Sequence, residues 1–192
     1  MFKLAVRVGF YAFRVRDFIR AITTQECASI SSALLNGDDQ NILDAVVYCT
    51  RVAEADGRKK LLAAKLVTPL VQLLEHDSDT IVIWSLDVLG NISKDALAQS
   101  TAVTEEAIPK AVKLLRTGTE VQRGFAAYLL GQLSSNYRSN SLEIEEAGAV
   151  PFLVGLFFFL EEPTLMFRKV LQHIHLAALL PTMTLFVLRS LR

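Results

Sequence analysis

A chain of 192 residues, 52% hydrophobic, 21% charged and formally neutral at pH 7, is long enough to bury a sizeable core in one or two domains. Zero net charge excludes the global positive field that general binding to nucleic acid or to an anionic membrane requires. Two cysteines, Cys27 and Cys49, do not make a disulfide framework; each lies in an apolar helical pattern and is expected as a reduced, buried thiol. Charge is unevenly spread, with net +4 in residues 1–22, −6 in residues 23–160 and +2 in residues 161–192.

Residues 1–23 form a basic amphipathic N-terminal segment in which apolar and basic side chains alternate. An arginine-rich, acid-poor start fits a transit peptide; a basic surface helix or the remnant of an earlier repeat fits it equally well. Residues 24–53 read as two helices around the turn Asn36-Gly37-Asp38-Asp39. Residues 54–65 are charged and then apolar, with a short helix face at Leu61, Leu62 and Leu66. Pro69 suits the first turn of the next helix, whose buried stripe includes Leu70, Val71, Leu73 and Leu74. Glu75-His76-Asp77-Ser78-Asp79 is a polar turn in which Ser78 or Asp79 can cap the long helix 80–93.

The unit then recurs as a short helix across Ala96 to Glu105, a helix from Pro109 to Arg116 and a long helix from Glu120 to about Ser134. A third short helix follows, ending in Glu146-Ala147-Gly148-Ala149-Val150-Pro151. The repetition keeps its register. The interval from Leu73-Leu74 to Asn91 is the same as that from Leu114-Leu115 to Gln132. The small residues Ala45, Ser85 and Ala126 follow one another at nearly equal spacing. A period of roughly 40 residues marks a stacked-repeat architecture.

Glu-Ala-Gly-Ala-Val-Pro at 146–151, with Leu156 beyond it, resembles the junction between the first and second helices of an armadillo repeat. Gly148 there permits a sharp turn at positive φ. Leu-Gly-Asn-Ile-Ser at 89–93 and Ala-Ala-Tyr-Leu-Leu-Gly-Gln-Leu at 126–133 are similar to the third helix of the same repeat. HEAT repeats are the nearest competitor, but they usually have two helices and lack this glycine–proline junction. The resemblance covers residues 24–160. It implies an all-α, right-handed α-α superhelix of about three repeats with a divergent C-terminal helical tail.

That tail, residues 161–192, departs from the repeat. Val170 to Leu188 holds no Asp, Glu, Lys or Arg, a length approaching a membrane span of ~20 residues, although Gln172, His173, His175 and Pro181 lower its hydrophobicity. A divergent helix pair covering the open end of the stack, a membrane-anchoring tail and a truncated end are the readings open for it.

No catalytic motif is present: no glycine-rich phosphate loop, no His-Glu-x-x-His and no paired-cysteine knuckle. His173 and His175 diverge on a helix and cannot share a metal. Glu105-Glu106 and Glu145-Glu146 are adjacent pairs that diverge too. The chain therefore reads as a non-enzyme without cofactor or metal. The Asn91-Ile92-Ser93 sequon falls inside a packed helix and is read as chance.

In armadillo proteins the third helices line a concave groove that accepts an extended peptide, often through an aromatic residue and an asparagine four positions later. The resemblance places Val47 and Arg51, Asp87 and Asn91, and Tyr128 and Gln132 at those positions, in helices 39–53, 80–93 and 120–134. Each i, i+4 pair shares a face; an amide there can serve a peptide backbone as donor and acceptor, and an aromatic walls a side-chain pocket. The candidate groove residues are Arg51, Asp87, Asn91, Tyr128 and Gln132. Trp84, among apolar neighbours, is expected in the core. The expected role is a non-catalytic scaffold for other proteins, with extended and basic segments as candidate partners, no nucleic acid, and self-association left open. A nuclear-import-like adaptor for basic peptides and a membrane-attached adaptor are the alternatives; the expected compartment is cytoplasmic or nuclear.

Overall fold

The computed structural model describes residues 24–54 and 57–159, with side chains over 27–53 and 57–156. The N-terminal segment and the C-terminal tail, with every expectation placed on them, lie outside those residues. Ten helices follow one another among the described residues, without a strand. They are α1 (Thr24–Asn36), α2 (Asp39–Glu54), α3 (Arg58–Ala63), α4 (Val67–Gln72), α5 (Asp79–Ile92), α6 (Ala96–Thr104), α7 (Ala107–Thr117), α8 (Glu120–Ser134), α9 (Arg138–Glu146) and α10 (Val150–Phe159). A 3-10 turn, Leu73–Glu75, extends α4. Helices α4 to α8 begin within about two residues of their expected starts, so Pro69 and Pro109 are third residues of α4 and α7 rather than first ones; at either place their missing N–H costs no helical bond.

The units stack because none can bury its apolar side alone. Helices α3, α4 and α5 make one three-helix unit; α6, α7 and α8 make the next. Before them stands the hairpin α1–α2, and after them come α9 and α10. The long helices form the spine, with α5 packed between α2 and α8. One continuous core runs through them, including Ala45, Val46, Leu86, Leu89, Ile92, Ala126, Leu129 and Leu133, all essentially without exposure. Ala45, Ser85 and Ala126, the small residues matched by the repeat, are each fully buried, which lets neighbouring long helices approach closely. Gly90 marks a close approach. A Cβ built there would run into the Tyr128 ring of the next long helix.

The joints between short first and second helices share one conformation. Lys65 (φ 54°), Glu106 (φ 64°) and Gly148 (φ 77°) are all left-handed, and each stands one repeat beyond the last. Only the third is the glycine that such a backbone favours. Polar bonds act both within a unit and between units. Gln99, fully buried, donates from Nε2 to the Gln132 carbonyl (2.5 Å) and to Ser135 Oγ (3.0 Å), and accepts from Asn136 Nδ2 (3.1 Å). Gln122 completes a capping box with Thr119 at the start of α8 and reaches back to Asp79 Oδ1 (3.0 Å) at the start of α5. On the surface Glu75 meets Lys110 (3.2 Å) and Lys113 (3.5 Å) of α7, and the Lys110 hydrogen bond holds its carboxyl below the usual range.

Candidate peptide-binding groove

Four residues of α5, Thr80, Trp84, Asp87 and Asn91, fall at i, i+4, i+7 and i+11 and so make one stripe along the helix. Thr80 and Trp84 are exposed; Asp87 and Asn91 are half-buried. The repeat carries the same stripe onto the flanking helices, as Gln40, Asp44, Val47 and Arg51 on α2 and Val121, Phe125, Tyr128 and Gln132 on α8. Expectation and structure part at Trp84, which is 36% exposed rather than buried in the core. Its apolar neighbours Ile81, Val82 and Val88 do face the core, but Trp84 lies seven residues before Asn91, two helical turns, and therefore on the same side.

The predicted groove residues occupy different depths. Arg51 is exposed and Asp87 half-buried. Tyr128 and Gln132 are 6% and 7% exposed, so they sit in the wall and support what lies above. Asn91 is the hub. Its Nδ2 donates to the Asp87 carboxylate (3.1 Å) and to the Asp87 carbonyl (3.0 Å). Its Oδ1 accepts from the Tyr128 hydroxyl (3.1 Å) and from Lys94 Nζ (3.2 Å). The amide is thus held in one orientation by two adjacent long helices. Of these bonds, that to Lys94 is on the exposed side and is the readiest to be exchanged for an incoming backbone group.

Toward the N-terminal ends of the long helices the stripe is apolar and acidic. At the level of Trp84 and half-buried Ile83 on α5, the repeat places Val121 (38% exposed) and half-buried Phe125 on α8, and half-buried Leu43 and Asp44 on α2. Asp44 accepts from Gln40 Nε2 at 2.9 Å. Sequence reasoning missed Trp84, Val121, Phe125 and Asp44; the seven-residue interval from Trp84 to Asn91 was the signal that places them. A separate open depression of about 350 Å³, lined by Pro109, Lys113, Arg116, Thr117 and Ala147, involves none of the three long helices.

The geometry defines the class. The chain is an armadillo-type α-solenoid, and solved structures of that fold match it. A designed armadillo repeat protein is 24% identical with a TM-score of 0.70, over 86% of this chain and 68% of that one. A second, solved in complex with the peptide (KR)4, is 22% identical with a TM-score of 0.68, over 81% of this chain and 64% of that one. An engineered protein is 20% identical with a TM-score of 0.66, over 92% of this chain and 80% of that one. No family model and no curated relative matches the chain. Among the described residues no helix is long and apolar enough to cross a membrane.

Proposed function

We propose that the chain is a binding scaffold without catalytic activity that holds an extended segment of another protein across α2, α5 and α8. One observation carries this reading: three stacked long helices present matched stripes in register, with the Asn91 amide oriented at their centre. Exchange of the exposed Lys94 bond frees the oriented amide oxygen to accept from a backbone N–H laid across the helices, and exposed Trp84, two turns along the same helix face, offers aromatic area at low entropic cost. Among the structural neighbours, one designed armadillo protein is solved with a bound peptide and another is described as made for modular peptide recognition, which supports the same mode here.

The test is selection from a displayed library of random dodecapeptides on the intact chain, followed by titration of the recovered peptides. Binding is expected to weaken at least about tenfold in the triple variant Arg51→Ala/Asp87→Ala/Asn91→Ala, as loss of one charge-assisted hydrogen bond of about 1.5–3 kcal/mol implies. Tyr128 and Gln132 are left intact because both are buried. Equal binding to the variant, with its helix content unchanged, rejects the groove.

A further inference from the structure

The repeat divides the groove into two rails. One crosses the N-terminal halves of the long helices through Asp44, Trp84 and Phe125; the other crosses their C-terminal halves through Arg51, Asn91 and Gln132. Seven residues separate the rails on each helix, about 10 Å along its axis. Their chemistry differs. Along the first rail an acidic group is followed by apolar positions, called the socket below: Trp84 and Val121 are exposed and Ile83 and Phe125 half-buried. The second carries cations: exposed Arg51, then the Lys94 ammonium seated 3.2 Å from Asn91 Oδ1. Within the stripe the carboxylates of Asp44 and Asp87 are balanced by Arg51 and Lys94.

Resting on the groove reading above, we infer that the segment this groove takes is charge-balanced, with a bulky apolar side chain as its anchor on Trp84 and Phe125 and an acidic side chain facing Arg51 and Lys94. A backbone laid across the helices in extended form sends successive side chains to opposite sides. One set therefore meets the first rail and the other set the second. A uniformly basic segment would match Asp44 and Asp87 but set like charges against Arg51 and Lys94, and it would leave the socket without an apolar group. A uniformly acidic one fails at the opposite rail. Opposite charges on the two rails also fix which side chains face which rail, since like-charge juxtaposition penalises the inverted placement.

Trp84 is the one tryptophan of the chain, so its emission reports on the socket directly. The probes are fluorescein-labelled peptides containing Lys-Glu-Leu-Gln-Leu-Gln, made in both chain directions. Comparison versions carry Ala for each Leu, Lys for Glu, or Glu for Lys, and (Lys-Arg)4 completes the set. In one direction the parent peptide is expected to shift Trp84 emission to the blue. By anisotropy it is expected to bind about tenfold more tightly than its Ala version, the loss that burial of a leucine side chain implies. Trp84→Ala should remove that Leu–Ala difference. Arg51→Glu/Lys94→Glu should invert the order of the Glu and Lys versions; helix content measured by circular dichroism checks that both variants fold.

Tighter binding of (Lys-Arg)4, accompanied by a change in Trp84 emission, overturns the charge-balanced ligand and leaves the groove standing. Binding of the Leu and Ala versions with equal affinity overturns the socket. If none of these peptides binds, the inference fails, while the library selection decides the groove itself independently.

Discussion

Cys27 and Cys49 lie on the two arms of the α1–α2 hairpin and meet water differently, one half-buried and the other buried. Burial, and after it the neighbouring Cys27, pushes the Cys49 thiol up from 9.0 to about 12. Between those values the unfolded chain gives up this proton and the folded chain keeps it. Stability is therefore unaffected by this group below pH 9 and falls as pH rises above it, by up to about 1.4 kcal/mol per unit. Urea unfolding at pH 8 and pH 10 should show the loss, and Cys49→Ala should reduce it; an identical pH slope in the variant would count against the assignment. The left-handed joints offer a second residue-scale test. Lys65 and Glu106 carry a Cβ where the backbone favours none. Lys65→Gly and Glu106→Gly are each expected to stabilise by about 0.5–1 kcal/mol, the relief of strain exceeding the added freedom of the unfolded chain. Gly148→Ala should cost about 1–2 kcal/mol from backbone strain alone, because a Cβ there meets nothing within 4 Å. Thermal unfolding of the three variants reads both signs.

Between elements, the close pass of α5 and α8 at Gly90 leaves no room for a Cβ. An alanine there gains helix propensity of about 1 kcal/mol but forces the buried Tyr128 ring aside, an overpacking cost of about 1–3 kcal/mol. Gly90→Ala should therefore destabilise, and Tyr128→Leu should absorb part of the damage. A double-mutant cycle in denaturant measures the coupling, expected near ~1 kcal/mol in magnitude; additive effects would place the ring elsewhere. This contact also shows what could be read beforehand. Leu-Gly-Asn at 89–91 and Leu-Gly-Gln at 130–132 marked the long helices of two successive repeats, and the spacing of leucines and small residues was enough for the helices and their stacking. Depth was not legible. Tyr128 and Gln132 occupy the repeat positions of Asp87 and Asn91, yet they are buried where those two are half-exposed. Periodicity assigns a face, whereas burial depends on what packs above that face. Trp84 erred the other way, since its apolar neighbours along the chain face the core and it does not. The left-handed joints at Lys65 and Glu106 were hidden too, because neither residue type favours positive φ.

At the scale of the whole molecule, stability in a stack comes from each unit and from its interfaces with the next. Helix α5 has a long helix on either side, and the polar ties from Gln122 to Asp79 and from Tyr128 to Asn91 fasten it to α8. Hairpin α1–α2 is joined to this spine through α2, while α1 lies to one side of it. Amide exchange followed by mass spectrometry should find the slowest protons in α5 and α8 and faster ones in α1, because local opening costs least where fewest apolar contacts must part. Uniform protection would instead describe one all-or-none unit.

The recurring left-handed joint has one more consequence. Since Lys65 and Glu106 adopt it in spite of their side chains, the bend belongs to the place in the pattern and not to the amino acid that fills it. Residues 66–106 then amount to a cassette whose two cut ends already have matching backbone directions. Inserting a second copy after Glu106 should lengthen the rod by one rung and carry with it another Trp84, giving a protein with two sockets in line where nature's spacing has one.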